Sequence, residues 1–157
     1  NSTFVTVGKS GTILTSSDGT TWDNSSSGTT DLHEVTYGNN TFVTVGQSGT
    51  ILSSSDNGTT WTSRTSGTTE YLRGGAYGNS TLVVVGASGT ILTSSDGTTW
   101  TSRTSGTSNL LGNVTFRNST FMAIGNSGTI LTSSDGTGWT SRTSGTSNRL
   151  NGMTYKE

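Results

Sequence analysis

Few side chains in this sequence could do chemistry, and most of those recur at fixed spacing. Aspartates fall in one phase at Asp18, Asp56, Asp96 and Asp135, each followed by a tryptophan at Trp22, Trp61, Trp100 and Trp139. Arginines hold a second phase at Arg64, Arg103 and Arg142. A further set breaks the repeat: Asp31, His33 and Glu34, then Glu70, Tyr71 and Arg73, then Asn109, Leu110 and Asn113, then Asn148, Arg149 and Asn151. The repeating set reads as structural. An aspartate in a turn binds turn amides, and a tryptophan packs between sheets. One carboxylate per turn is too few for calcium, which takes six to eight oxygens. His33 is the sole histidine, so neither a histidine-based triad nor a multi-histidine metal site can form. Cysteine is absent, which removes thiolate nucleophiles, zinc–thiolate sites and disulfides. The expectation is no catalytic residue, no metal and no cofactor.

The elements that must position these residues follow from the period. The four tryptophans are separated by 39, 39 and 39 residues, and Phe4, Phe42, Leu82 and Phe121 by 38, 40 and 39. Ile13, Ile51, Ile91 and Ile130 keep the same phase. Within the second repeat the runs LHEVTYG, NNTFVTVG, GTILSSSD and TTWTSRTSG read as four strands separated by Asn- and Gly-rich turns. Four short strands in a period near 40 is the pattern of a propeller blade. A β-helix solenoid, the rival for a Thr-rich repeat, needs shorter periods. The expected fold class is all-β: one β-propeller domain over residues 1–157, built of four-stranded antiparallel blades.

Phase also relates the two ends. Thr3–Gly8 reads as the second strand of a blade and Leu150–Tyr155 as a first strand, aligned with Leu72–Tyr77. The C-terminal strand is therefore expected beside Thr3–Gly8, closing a ring through a shared blade. One chain would close as four blades, the favoured reading because each chain supplies a whole number of blades; two chains exchanging strands would close as eight, in a homodimer. Gly74, Gly75 and Gly152 on first strands suit close approach near the centre.

Composition limits the partners. Eight Lys and Arg balance nine Asp and Glu, which gives no field for nucleic acid or an anionic membrane. Only 26% of residues are hydrophobic, and no run approaches membrane-spanning length. An extracellular, periplasmic or lumenal location is the expectation. Asn1, Asn24, Asn39, Asn57, Asn79, Asn113 and Asn118 each begin an N-x-S/T sequence. These could accept glycans in a secretory host, but asparagine is also the residue of left-handed turns.

The segment Ser54-Ser55-Asp56-Asn57-Gly58-Thr59-Thr60-Trp61 resembles the Asp-box, S-x-D-x-G-x-T-W. The other three copies lack one residue between Asp and Gly, and Gly138 replaces a threonine in the last. With the preceding FVTVG, the phrase GTILTSSDGTTW is most similar to bacterial repeat proteins of the Ycf48 type. The resemblance implies a propeller, and a scaffold or assembly role as one function. Resemblance to sialidases, which also carry Asp-boxes, would imply an arginine triad and a tyrosine nucleophile with an acidic partner. Only Arg73 and Arg149 stand on variable segments, and adjacent Glu70 and Tyr71 would point apart on a strand. A hydrolase is therefore the least favoured reading.

The variable segments join fourth strands to next first strands, and the second turn of variable residues is Lys9, Gln47, Ala87 and Asn126. In a propeller these share one face. The expectation is a non-enzymatic binding module that takes a glycan or a protein through Tyr71, Arg73, Glu70, Asp31, His33, Asn109, Asn148, Arg149 and Asn151.

Overall fold

A computed structural model describes residues 2–156. The described residues form four antiparallel sheets in chain order. The first contains β1 (Phe4–Val7), β2 (Ile13–Ser16) and β3 (Asp23–Asn24). The second contains β4 (Leu32–Gly38), β5 (Thr41–Gly46), β6 (Ile51–Ser54) and β7 (Thr62–Arg64). The third contains β8 (Leu72–Gly78), β9 (Thr81–Gly86), β10 (Ile91–Ser94) and β11 (Thr101–Arg103). The fourth contains β12 (Leu111–Arg117), β13 (Thr120–Gly125), β14 (Ile130–Ser133) and β15 (Thr140–Arg142). This is the blade array of a β-propeller, with strands meandering outward from β4, β8 and β12 in each full blade.

Turn chemistry sets the register. The hairpins after β4, β8 and β12 turn on Asn39-Asn40, Asn79-Ser80 and Asn118-Ser119, and every one of these residues has φ between 46° and 57°. Two consecutive positive φ values match the right-handed twist of the flanking strands, and asparagine tolerates them best. Asn57 is likewise left-handed at φ 60°. The turn role of these asparagines thus has a direct structural basis; Asn1 lies outside the described residues.

The aspartate turns tie each third strand to its fourth. The Ser54 hydroxyl donates to the Asp56 carboxylate at 2.6 Å and accepts from the Gly58 amide at 2.9 Å. The same carboxylate accepts from the Thr60 amide and hydroxyl. Asp18, Asp96 and Asp135 make the equivalent bonds to the residues that follow them. The Trp61 and Trp139 indoles close two of the turns by donating to Gly58 and Gly136 carbonyls at 3.0 and 2.9 Å.

The core lies between blades. One cluster joins Ile13 of the first blade to Leu32 and Leu52 of the second, with Trp61 packed on it. Another joins Val43, Val45 and Ile51 to Leu72, Leu82, Val84 and Leu92, with Trp100 on it. The third joins Val83, Val85 and Ile91 to Leu111, Phe121 and Leu131, with Trp139 on it. Each of these three tryptophans therefore packs on a core shared with the preceding blade. Inner strands meet just as closely. Gly38 faces the Tyr77 ring and Gly78 the Phe116 ring, with no space for a Cβ at either glycine. Gly74 and Gly75 also abut neighbouring inner strands, at Asn113 and Thr36, whereas Gly152 has nothing near it.

The expected pairing of Leu150–Tyr155 with Thr3–Gly8 does not form within the chain. The first sheet has three strands with β1 at its inner edge, and residues 150–155 form no regular strand. They enter instead against the fourth blade, where the Leu150 amide donates to the Gly125 carbonyl at 3.0 Å and Met153 and Tyr155 lie beside Thr115, Arg117 and Met122. Phase aligns the segment with the first strands of the repeat, but neither the strand nor its expected partner forms within the chain.

Two outcomes test this architecture. Gly78→Ala should destabilise the fold by about 1–3 kcal/mol, the usual range for overpacking, because a methyl would overlap the Phe116 ring; urea melts measure it. The hydroxyl and amide bonds hold the Asp56 carboxyl down to about 2, led by Ser54 and then Thr60, and the other three turn aspartates are depressed as well. Carboxyls whose folded pKa is lowered stabilise fully above their unfolded value of 3.8 and lose that contribution as pH falls through the folded value. Thermal midpoints should therefore fall steadily from pH 4 to pH 2, and Asp56→Asn should flatten part of that slope.

Candidate functional site

The connectors that lead into the inner strands are pinned by backbone bonds that ignore side-chain identity. The amides of Gly11, Gly49, Gly89 and Gly128 donate to the carbonyls of Thr30, Glu70, Asn109 and Asn148 at 2.8–3.0 Å. Gln47, Ala87 and Asn126 amides donate to Asp31, Tyr71 and Leu110 carbonyls at 2.8–3.0 Å. Both variable turns therefore share one face, as their place in a propeller required. Because the backbone does the holding, these side chains are free to differ.

Three of them meet across two blades. The rings of His33, on β4, and Tyr71, just before β8, lie 4.5 Å apart with their planes tilted by 36°. The Arg73 guanidinium sits 5.3 Å from the Tyr71 ring centre, within cation–π range. His33 Nε2 is shielded from solvent and has no hydrogen-bond partner. Burial pushes the imidazole pKa below its usual 6.5, the Arg73 charge pushes the same way, and Asp31 opposes both. The stack thus presents a neutral imidazole, a phenol and a cation side by side.

The remaining expected residues divide. Asp31 accepts from the Ser10 amide at 2.9 Å and the Gln47 amide group at 3.3 Å, tying the first blade to the second. Glu70 accepts from the Ser88 hydroxyl at 3.1 Å, and Asn109 donates to the Thr129 hydroxyl at 2.9 Å. These three are committed to holding the face together. Arg149 lies against Gly112 of the fourth blade, while Asn148 and Asn151 are exposed, so none of them joins the stack.

Two features lie outside the expected set of site residues. Glu34 is packed against the third blade's inner strand near Gly75, and burial raises its carboxyl pKa against the lowering effect of the Val35 amide. Arg64, Arg103 and Arg142 each donate through Nε to a strand hydroxyl, at 2.7–2.8 Å, which is their structural duty. They also line three successive open grooves on the same face, of roughly 730, 460 and 540 Å³. Identity across repeats hid this second role, since a residue can serve fold and surface together. No three His, Asp or Glu side chains gather as a metal site would require, among the described residues.

No protein-family model matches the chain, and no curated protein matches it in sequence. Solved structures do resemble it. A structure titled YCF48 bound to D1 peptide is 19% identical with a TM-score of 0.62, over 71% of this chain and 39% of that one. YCF48 from Cyanidioschyzon merolae is 21% identical with a TM-score of 0.59, over 70% and 36%. An ancestral GH74 enzyme is 16% identical with a TM-score of 0.63, over 88% and 23%. These likenesses show a shared propeller fold. The chain matches a span well under half the length of each of these proteins.

The stack makes one testable statement about charge. Followed by NMR, His33 should titrate below pH 6.5. Arg73→Ala should raise its midpoint only in part, because burial is the larger cause. The lowered imidazole pKa also makes the folded state lose stability as pH falls through 6.5, where the unfolded chain takes up the proton first.

Proposed function

We propose that this chain is a non-catalytic scaffold propeller that holds an extended segment of another protein on the face carrying His33, Tyr71 and Arg73. The observation that supports the reading is the stack itself. Its three members break the repeat, come from adjacent blades, and lie on a face held together by backbone bonds that their side chains do not make. Tyrosine and arginine are, with tryptophan, the residues enriched at binding hot spots. Arg73 offers a planar donor fork for a carboxylate, and the stack positions it. A peptide is the favoured occupant over a glycan because Tyr71 already carries His33 and Arg73 against its ring and is half-buried, so it is not a free platform for a sugar. The similar structure titled YCF48 bound to D1 peptide supports the same class of partner.

Catalysis is the weaker reading despite the glycoside hydrolase likeness. Asp31 and Glu70 are occupied by bonds across the face, and Glu34, with its raised pKa, lies among the inner strands. Among the described residues no pair of free carboxyls is set to flank a glycosidic bond.

Selection of randomised twelve-residue peptides displayed on phage against the immobilised chain tests the proposal. Enriched peptides should carry an acidic group and bind Tyr71→Ala/Arg73→Ala at least ten-fold more weakly, with circular dichroism unchanged. Binding within two-fold of the parent would place the partner elsewhere, and enrichment on a glycan array with no peptide enrichment would replace the peptide reading.

A further inference from the structure

The large apolar side chains that remain exposed are Phe4 at 55%, Tyr37 at 52%, Tyr155 at 47% and Trp22 at 43%. Each is left uncovered because a neighbour that its repeat counterparts possess is missing. Phe42 and Phe121 are covered by aromatic rings of their own inner strands, Tyr37 at 4.7 Å and Phe116 at 4.5 Å. Phe4 has no inner strand beside it. Tyr77 and Phe116 rest on Gly38 and Gly78 of the preceding inner strand, and Tyr37 has no preceding inner strand. Trp61, Trp100 and Trp139 pack on cores shared with the preceding blade, and among the described residues no blade precedes that of Trp22. Tyr155 belongs to the converse case: its position in the repeat is that of Tyr37, Tyr77 and Phe116, but it has no second strand to cover.

One segment supplies everything that is missing. Leu150-Asn151-Gly152-Met153-Thr154-Tyr155 matches Leu32-His33-Glu34-Val35-Thr36-Tyr37 position by position. It already leaves the fourth blade as an inner strand should. The Leu150 amide bonds the Gly125 carbonyl at 3.0 Å, as the Leu32 amide bonds the Gly8 carbonyl at 2.9 Å where β4 leaves the first blade. The register of the complete blades, Leu32 opposite Gly46 and Tyr37 opposite Phe42, sets Leu150 opposite Gly8 and Tyr155 opposite Phe4. Within one chain these two edges do not pair.

We propose that the Leu150–Tyr155 segment of one copy is the inner strand of the first blade of a second copy, and that two copies exchange these strands to close a ring of eight blades. In that ring Tyr155 covers Phe4 of the partner copy, and the partner's Trp22 packs on the donor's fourth blade. Strand addition satisfies the open β1 edge with backbone bonds, and a head-to-tail contact made twice leaves no edge exposed. Closed propellers run from four to eight blades, and two copies of the four blades described here make eight. The exchange joins the two features left unpaired among the described residues, the β1 edge and the Leu150–Tyr155 segment.

The chain has no cysteine, so introduced cysteines report the contact without background. Residues directly opposite on antiparallel strands are near disulfide distance. Single variants Phe4→Cys and Tyr155→Cys, mixed after partial unfolding and refolded together, should form one disulfide-linked species of twice the 16.2 kDa chain mass on non-reducing gels. Neither variant alone should do so. The unmodified chain should show twice 16.2 kDa by light scattering, and Tyr155→Asp should reduce it to 16.2 kDa with its strand content kept. A parent mass of one chain, or a cross-link that forms only within one molecule of the doubly substituted chain, would overturn the exchange. So would an open series of higher masses, which would mean a filament in place of a ring.

Discussion

The contact between successive blades is the constraint on which this protein depends. No blade here has a core of its own. Each of the three clusters draws its buried residues from two sheets, and each is capped by the tryptophan of the later one. A four-stranded antiparallel sheet presents two faces, and a chain that is only 26% hydrophobic must share what it has. Stacking solves this by making one apolar layer serve two neighbours. The cost is paid at the array's ends, where a layer has only one side, and there the exposed aromatics collect.

That arrangement explains why the aspartate turns are uniform while the opposite face varies. The turn glycines Gly58, Gly97 and Gly136 lie against side chains of the preceding blade, so the turn must keep one shape to let the tryptophan in. Serine, aspartate and threonine supply that shape through local bonds alone, which makes it insensitive to its surroundings. On the other face the connectors are fixed through backbone amides and carbonyls. A side chain there can change without loosening the fold, and His33, Tyr71 and Arg73 use that freedom. The same physics separates Asp31, Glu70 and Asn109 from the stack. They vary in sequence, but each has acquired a partner on a neighbouring turn.

Arg117 breaks the pattern at the ends of the inner strands. The inner strands finish Gly38, Gly78, Arg117, and the first two positions are flat seats for the next aromatic ring. Arginine at the third turns its guanidinium back onto the Phe116 carbonyl at 2.8 Å, and Tyr155 settles beside it without a glycine seat. The last interface is thus built unlike the internal ones.

The sequence by itself determined the blade. A 39-residue period, alternating apolar residues and Asn-rich hairpin turns are local signals, and local bonds enforce them. The four aspartate turns, the positive-φ asparagines and the sharing of one face by both variable turns were all legible for that reason. The tertiary structure alone decided which variable residues meet. His33 and Tyr71 are far apart in sequence and touch only because blades two and three pack at one rotation. It also decided where Leu150–Tyr155 lies. The residues name it as a first strand, but its neighbour depends on the summed rotation of four blades. Each rotation is set by many small packing contacts between sheets, and no single residue type records their sum.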